Sequence, residues 1–266
     1  MTEQPVAIVT GAARGIGAAT ARFLAADGWR LGLVDVCEDD PVLGYPLGTR
    51  DELEATAAAC GTDSVVVVAD VREQAALDAA VAEVVDEHGR LDAAVSAVGA
   101  IAGGPPVWET GDDVWSAMLD INLGGVFRLA RAAVPQLLAV PRAEREGRFV
   151  AVASTAAVHG LPQLAAYTAA KHGVAGLVRA LAAELGTEGI NVNAVCPGST
   201  MTAMLEASAS VYDLHDVEVF AGHQRIGRLL EPEEIAAAIV WLCSASASGI
   251  TGAVLPVDGA FGPMAN

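Results

Sequence analysis

The chain has 266 residues, with 33 acidic against 15 basic side chains and a formal net charge of -18. Such a charge repels polyanions, which excludes nucleic acid and an acidic membrane surface as partners. Hydrophobic residues make up 53% of the sequence, enough for a large core at this length. Short β-branched or apolar runs alternate with alanine-rich helical stretches from end to end. Strands are predicted at residues 6–10, 31–35, 65–69, 91–95, 149–153, 190–195 and 253–257. Helices are predicted at 15–27, 51–59, 72–87, 112–139, 164–186 and 232–244. The strand runs lack polar alternation, the pattern of strands buried on both faces. One α/β domain over residues 1–266 is expected, a doubly wound parallel sheet covered by helices on both sides.

Two connections exceed what such a fold needs. Residues 37–50 form a Pro- and Gly-punctuated insertion after the second strand, and residues 199–230 are long enough for a short helical lid. The four cysteines, Cys37, Cys60, Cys196 and Cys243, form no C-x-x-C pair, so a reducing, cytoplasmic location is expected. No basic segment precedes the first apolar run, so no secretory signal is expected. Residues 149–170 and 235–257 lack Asp, Glu, Lys and Arg, yet Gly and Pro interrupt both, which fits a buried strand beside a packed helix better than a membrane span.

Gly11, Arg14, Gly15, Ile16 and Gly17 belong to the turn joining the first strand to the first helix. Glycines there let a pyrophosphate approach the backbone at a positive helix terminus. Asp35 ends the next strand, where a carboxylate accepts both adenosine ribose hydroxyls and repels a 2′-phosphate, favouring NAD over NADP. Arg14 is the counterargument, since a guanidinium in that loop could neutralise such a phosphate. Asp70, followed by Val71, closes the third strand; it either accepts from an adenine amino group or caps the helix starting near Arg72.

Tyr167 precedes Lys171 by four residues, with Ser154 thirteen before the tyrosine. Residues four apart share a helix face, so phenol and ammonium point the same way. A phenol works as a base near neutrality only if its pKa falls from about 10 toward 7, a stabilisation of about 4 kcal/mol for the phenolate. A neighbouring cation and a positive oxidised nicotinamide together would supply it. Lys171 is the only lysine beside fourteen arginines. A lone lysine placed at random would follow one of three tyrosines at this spacing about once in a hundred times.

These residues resemble the short-chain dehydrogenases/reductases over nearly the whole chain, which implies a Rossmann-type sheet of about seven strands. The resemblance implies that Tyr167 exchanges a proton with the substrate oxygen and that Ser154 positions it. Lys171 would hold the nicotinamide ribose and lower the tyrosine pKa. Asn122 would anchor a relay water, leaving its helix locally bent. Thr200 and Thr202, after Pro197 and Gly198, would contact the nicotinamide amide and the phosphates. Where the family usually has Asn-Asn-Ala-Gly, this chain has Ser96-Ala97-Val98-Gly99; Gly99 keeps the close approach. The insertion and the lid resemble those of mycofactocin-dependent, carveol dehydrogenase-like members. That likeness implies tightly held NAD and electron transfer to mycofactocin, a peptide-derived redox carrier.

The substrate pocket is expected to be lined by Val98, Ala156, Val158, His159, Leu161, Met201, Met204 and Tyr212, which suits an apolar secondary alcohol or ketone. No histidine pair has zinc-ligand spacing, so no metal is expected. The reading is NAD-dependent oxidation of such an alcohol, or the reverse; an NADPH-dependent 3-oxoacyl thioester reductase and a catalytically silent NAD-binding sensor are the alternatives. The family likeness also implies a homotetramer, built on the small-residue faces of the two long helices.

Overall fold

Strands that carry no polar face must be sandwiched, and the computed structural model, which describes residues 4–262, shows how. The strands are β1 (Val6–Thr10), β2 (Arg30–Asp35), β3 (Ser64–Val68), β4 (Ala93–Ser96), β5 (Gly147–Val152), β6 (Ile190–Pro197) and β7 (Val254–Val257). They form a parallel sheet in the order β3-β2-β1-β4-β5-β6-β7. Every residue of β1, β4 and β5 is buried, in line with their largely apolar sequence; Thr10, Ser96 and Arg148 are the buried polar exceptions.

The helices are α1 (Gly15–Ala26), α2 (Arg50–Cys60), α3 (Gln74–His88), α4 (Asp112–Leu119), α5 (Gly125–Ala139), α6 (Ala165–Leu185), α7 (Ala203–Val211) and α8 (Pro232–Cys243). Leu77, Val84, Leu129 and Val174, from α3, α5 and α6, pack one face of the sheet. Leu24, Leu53 and Ile235, from α1, α2 and α8, pack the other. This is the doubly wound architecture expected. Strand order reverses between β1 and β4, opening a crevice at the carboxyl ends of the strands.

Element boundaries depart from expectation by a few residues, and at two of them the local reason is plain. The insertion ends at Thr49 rather than at residue 50, because Thr49 accepts from Glu52 N at 3.2 Å and Glu52 returns the bond, a capping box that starts α2 at Arg50. The third helix starts at Gln74, not at Arg72, because Asp70 Oδ1 accepts from Arg72 N at 2.8 Å and holds that segment in a turn. The helix expected over 112–139 carries a π-turn at Asp120–Gly124, where the family resemblance implied a local bend at Asn122.

β2 carries Gly32 where α3 crosses it, and a Cβ there would overlap the Val84 side chain. Gly32→Ala should therefore destabilise the fold by about 1–3 kcal/mol in urea unfolding, and adding Val84→Ala should recover part of the loss. Full stability of the single variant would contradict this packing.

Candidate active site

A cavity of about 800 Å³ runs along the carboxyl edge of the sheet, from Asp35 and Asp70 to Tyr167 and Tyr212. At its first end the glycine turn leaves β1. Gly11 has φ +75, and a Cβ on it would lie 2.8 Å from the Ala97 backbone. A Cβ on Gly17 would overlap the Gly11 carbonyl. Helix α1 starts behind an extended Arg14 that offers no side-chain cap, and its first turn holds no acid. Its leading N–H groups thus face the cavity at a positive terminus. Asp35 is pinned beside them, accepting from Ala13 N at 2.9 Å and from Val36 N at 2.8 Å.

The insertion closes over this end as a strap. A Cβ on Gly48 would lie 2.7 Å from Ala13 Cβ and 3.4 Å from Asp35 Oδ1, so strap backbone presses on the carboxylate. Arg14 donates to the Pro46 carbonyl at 2.5 Å and is engaged with the strap. Arg72 grips Asp70 at 2.7 Å and Asp40 of the strap at 2.6 Å. Partial burial pushes the Asp70 carboxyl up, but the Arg72 hydrogen bonds outweigh it and hold the group below its ordinary range. Asp70 is thus half of an ion-pair clamp, and the first cap of α3 is Glu73.

At the other end, β5 and α6 bring Ser154, Tyr167 and Lys171 together. Lys171 is 2% exposed; its Nζ donates to the Val152 carbonyl at 3.0 Å and lies 5.6 Å from the centre of the Tyr167 ring. Gly99 lies alongside: a Cβ there would press on the Met204 methyl at 3.1 Å and stand in ordinary contact, 3.5 Å, with Lys171 Nζ. Ser154 Oγ accepts from Ala156 N at 3.1 Å and shares a hydrogen bond with the Tyr167 hydroxyl. Burial pushes the phenol up to about 12 despite that bond, and burial brings Lys171 down to about 8. In the protein alone burial is the largest influence on both groups, and it favours the neutral phenol and the neutral amine.

Asn122 is fully buried in the π-turn and does not line the cavity. Its Nδ2 donates to the Ala100 and Met118 carbonyls at 3.0 Å, and its Oδ1 accepts from Ala100 N at 3.2 Å. It clamps the segment after β4 in place behind the site. Thr200 and Thr202 line the cavity, yet their hydroxyls donate within their own loop, to the Gly198 and Thr200 carbonyls. Pro197, Gly198, Ile16 and Val71 also line it.

Val98, Leu161, Met201, Met204 and Tyr212 line the apolar end as expected. Ala156, Val158 and His159 do not. A 3-10 turn at Thr155–Ala157 buries Ala156 inside the protein and carries Val158 and His159 outward, where the imidazole packs 5.6 Å from the Phe261 ring. Leu43, Tyr45 and Leu47 of the strap line the cavity instead, joined by Phe220, His223 and Phe261. Alternation of the three strap residues with Gly44 and Pro46 was the signal for the first group; the second carries no local signal.

A family model described as enoyl-(acyl carrier protein) reductase matches residues 11–261. The (-)-trans-carveol dehydrogenase of Rhodococcus erythropolis is 40% identical over 271 residues, covering 96% of each chain. A monensin polyketide synthase putative ketoacyl reductase of Streptomyces virginiae is 39% identical over 264 residues, covering 97% of each. The crystal structure of carveol dehydrogenase from Mycobacterium avium in complex with NAD superposes with a TM-score of 0.89 at 33% identity, covering 97% of each chain. The chain belongs to the short-chain dehydrogenase/reductase family.

The buried lysine has a pH signature. Its folded value of about 8 lies below the ordinary 10.5, so between those values the unfolded chain binds the proton and the fold does not. Stability from this group is therefore lowest below about pH 8 and rises toward 10.5, by at most about 1.4 kcal/mol per pH step. In nucleotide-free protein, the unfolding free energy of wild type relative to Lys171→Met should increase from about pH 7 to about pH 9.5. A difference that stays flat across that window would place the ammonium in water.

Proposed function

We propose that this short-chain dehydrogenase/reductase oxidises an apolar secondary alcohol, or reduces the matching ketone, with NAD as its dinucleotide. The observation that carries the reading is the convergence of Ser154, Tyr167 and Lys171 at the apolar end of one cavity whose other end is a glycine cradle. The residues present fit the cofactor. Gly11 and Gly17 leave backbone exposed where side chains would intrude, and the uncapped start of α1 suits a pyrophosphate. Asp35 suits the adenosine ribose. A 2′-phosphate there would meet that carboxylate and the Gly48 backbone, while Arg14 is tied to Pro46. The NAD-bound relative supports the same choice.

When bound, the nicotinamide supplies the hydride acceptor or donor. The chain supplies the rest. Lys171 is placed to hold ribose hydroxyls, and Ser154 to donate to the substrate oxygen. Tyr167 transfers a proton at that same oxygen. With its pKa at about 12, the phenol in the protein alone is a proton donor, the role required for ketone reduction. Taking a proton from an alcohol at neutral pH requires about 7 kcal/mol of added stabilisation of the phenolate, for which a charged Lys171 and further positive charge at the site are the sources. The ketoacyl reductase relative favours reduction of the keto group of a 3-oxoacyl thioester as a second reading; Asp35 opposes its NADPH requirement, and an assay with both cofactors decides.

Two anchors hold the strap over the adenosine end: Arg14 on Pro46 and Arg72 on Asp40. They support slow release of NAD, leaving reoxidation in place to an external carrier, the part the family likeness gives to mycofactocin.

Tyr167→Phe should keep NAD binding and lose turnover by roughly 10²–10⁴-fold; unchanged turnover sinks the mechanism. Purified wild type, when denatured, should release nearly one NAD per chain. Arg72→Ala should carry much less, and an equal content would remove the clamp from cofactor retention.

A further inference from the structure

Tyr45 comes from the strap, yet its ring belongs to the apolar cluster that holds Tyr167, Leu161, Met204 and Tyr212. Leu43, Tyr45 and Leu47 alternate along the strap and turn one apolar edge to the cavity, while Asp40 and Pro46 are held from the side by Arg72 and Arg14. The phenol is the polar exception in that edge. Its oxygen accepts from Ile101 N at 3.1 Å, which fixes the ring, and among the described residues no acceptor takes its proton. A hydroxyl in this state has one donor to give. Burial raises the phenol above its ordinary pKa and keeps that proton in place.

The position of this donor is set by its partner. Ile101 lies two residues beyond Gly99, whose Cβ position is 3.5 Å from Lys171 Nζ and 3.1 Å from the Met204 methyl. Tyr45 therefore stands toward the reacting end, away from the Asp35 end that Gly48 covers.

We infer that Tyr45 is a specificity-determining residue whose hydroxyl donates to a second oxygen on the substrate, so that the preferred substrate is a cyclic secondary alcohol bearing another hydroxyl or carbonyl. The inference rests on the alcohol dehydrogenase reading and adds the substrate class to it. A ring with one oxygen would fill the same apolar space but leave a buried donor unpaired, and sites built around a hydrogen bond discriminate against such analogues more sharply than against a missing methylene.

The test compares cyclohexanol with the cyclohexanediol isomers on the NAD-loaded protein, as wild type and as Tyr45→Phe. Wild type should favour at least one diol by roughly tenfold in kcat/KM, chiefly through KM. Tyr45→Phe should bring that ratio close to one while keeping its NAD content. A ratio that survives the substitution, or a wild type with no diol preference, overturns the inference. Loss of NAD from the variant also overturns it, by making the phenol a support for the strap or cofactor. Should wild type hold NAD but oxidise none of these alcohols, the dehydrogenase reading fails separately. Calorimetric Kd values then decide on Tyr45: tighter diol binding that Tyr45→Phe abolishes upholds its role, and equal Kd values for diol and cyclohexanol reject it.

Discussion

An ammonium group withdrawn from water has to be compensated where it lies, and in this fold that requirement falls on Lys171. Its Nζ reaches the Val152 carbonyl and the face of Tyr167, and burial still lowers its pKa to about 8. The arrangement constrains three separate elements. β5 must end so that its last carbonyl points at the lysine, and α6 must begin early enough to set Tyr167 one turn before it. The segment after β4 must pass close alongside, since the Cβ position of Gly99 lies in contact distance of the ammonium at 3.5 Å. Asn122 holds that segment by bonding both the N–H and the carbonyl of Ala100. The geometry of the candidate site and the stability of the fold thus meet at one buried charge.

The electrostatics of the pair follow from this burial. A phenol at about 12 and an amine at about 8 are both displaced toward their neutral forms. Low dielectric surroundings that disfavour either charge also strengthen whatever charge is added beside them. The site is therefore poised to respond strongly to a bound cation, and weakly active groups in the protein alone are compatible with effective ones in a loaded site.

Features written in local spacing were legible from the sequence. The four-residue step from Tyr167 to Lys171, the glycine turn, and the largely apolar strands each report a short-range geometry. Features that depend on partners distant in the chain were not. Nothing near Arg72 announces Asp40, thirty-two residues earlier, as its second partner. Nothing in Ala156 or His159 reveals that a 3-10 turn swings one inward and the other out of the cavity. The start of α3 was misplaced by two residues because Asp70 forms a turn before the helix rather than its cap. The strap is an intermediate case: its length marked it as unusual, but its anchoring on Arg14, Arg72 and Ile101 is a tertiary property, and so is the way it links the two ends of the cavity.

The sole lysine of the sequence is also the residue at the centre of the site. Amine-directed chemistry, whether an acylating reagent, an aldehyde cross-linker or enzymatic conjugation to a lysine, therefore finds no ε-amine on the surface of this molecule. Any ε-amine that does react must be Lys171, reached only when the cavity admits the reagent. Side-chain amine reactivity in this protein is a direct readout of active-site access, with no background from other lysines to subtract.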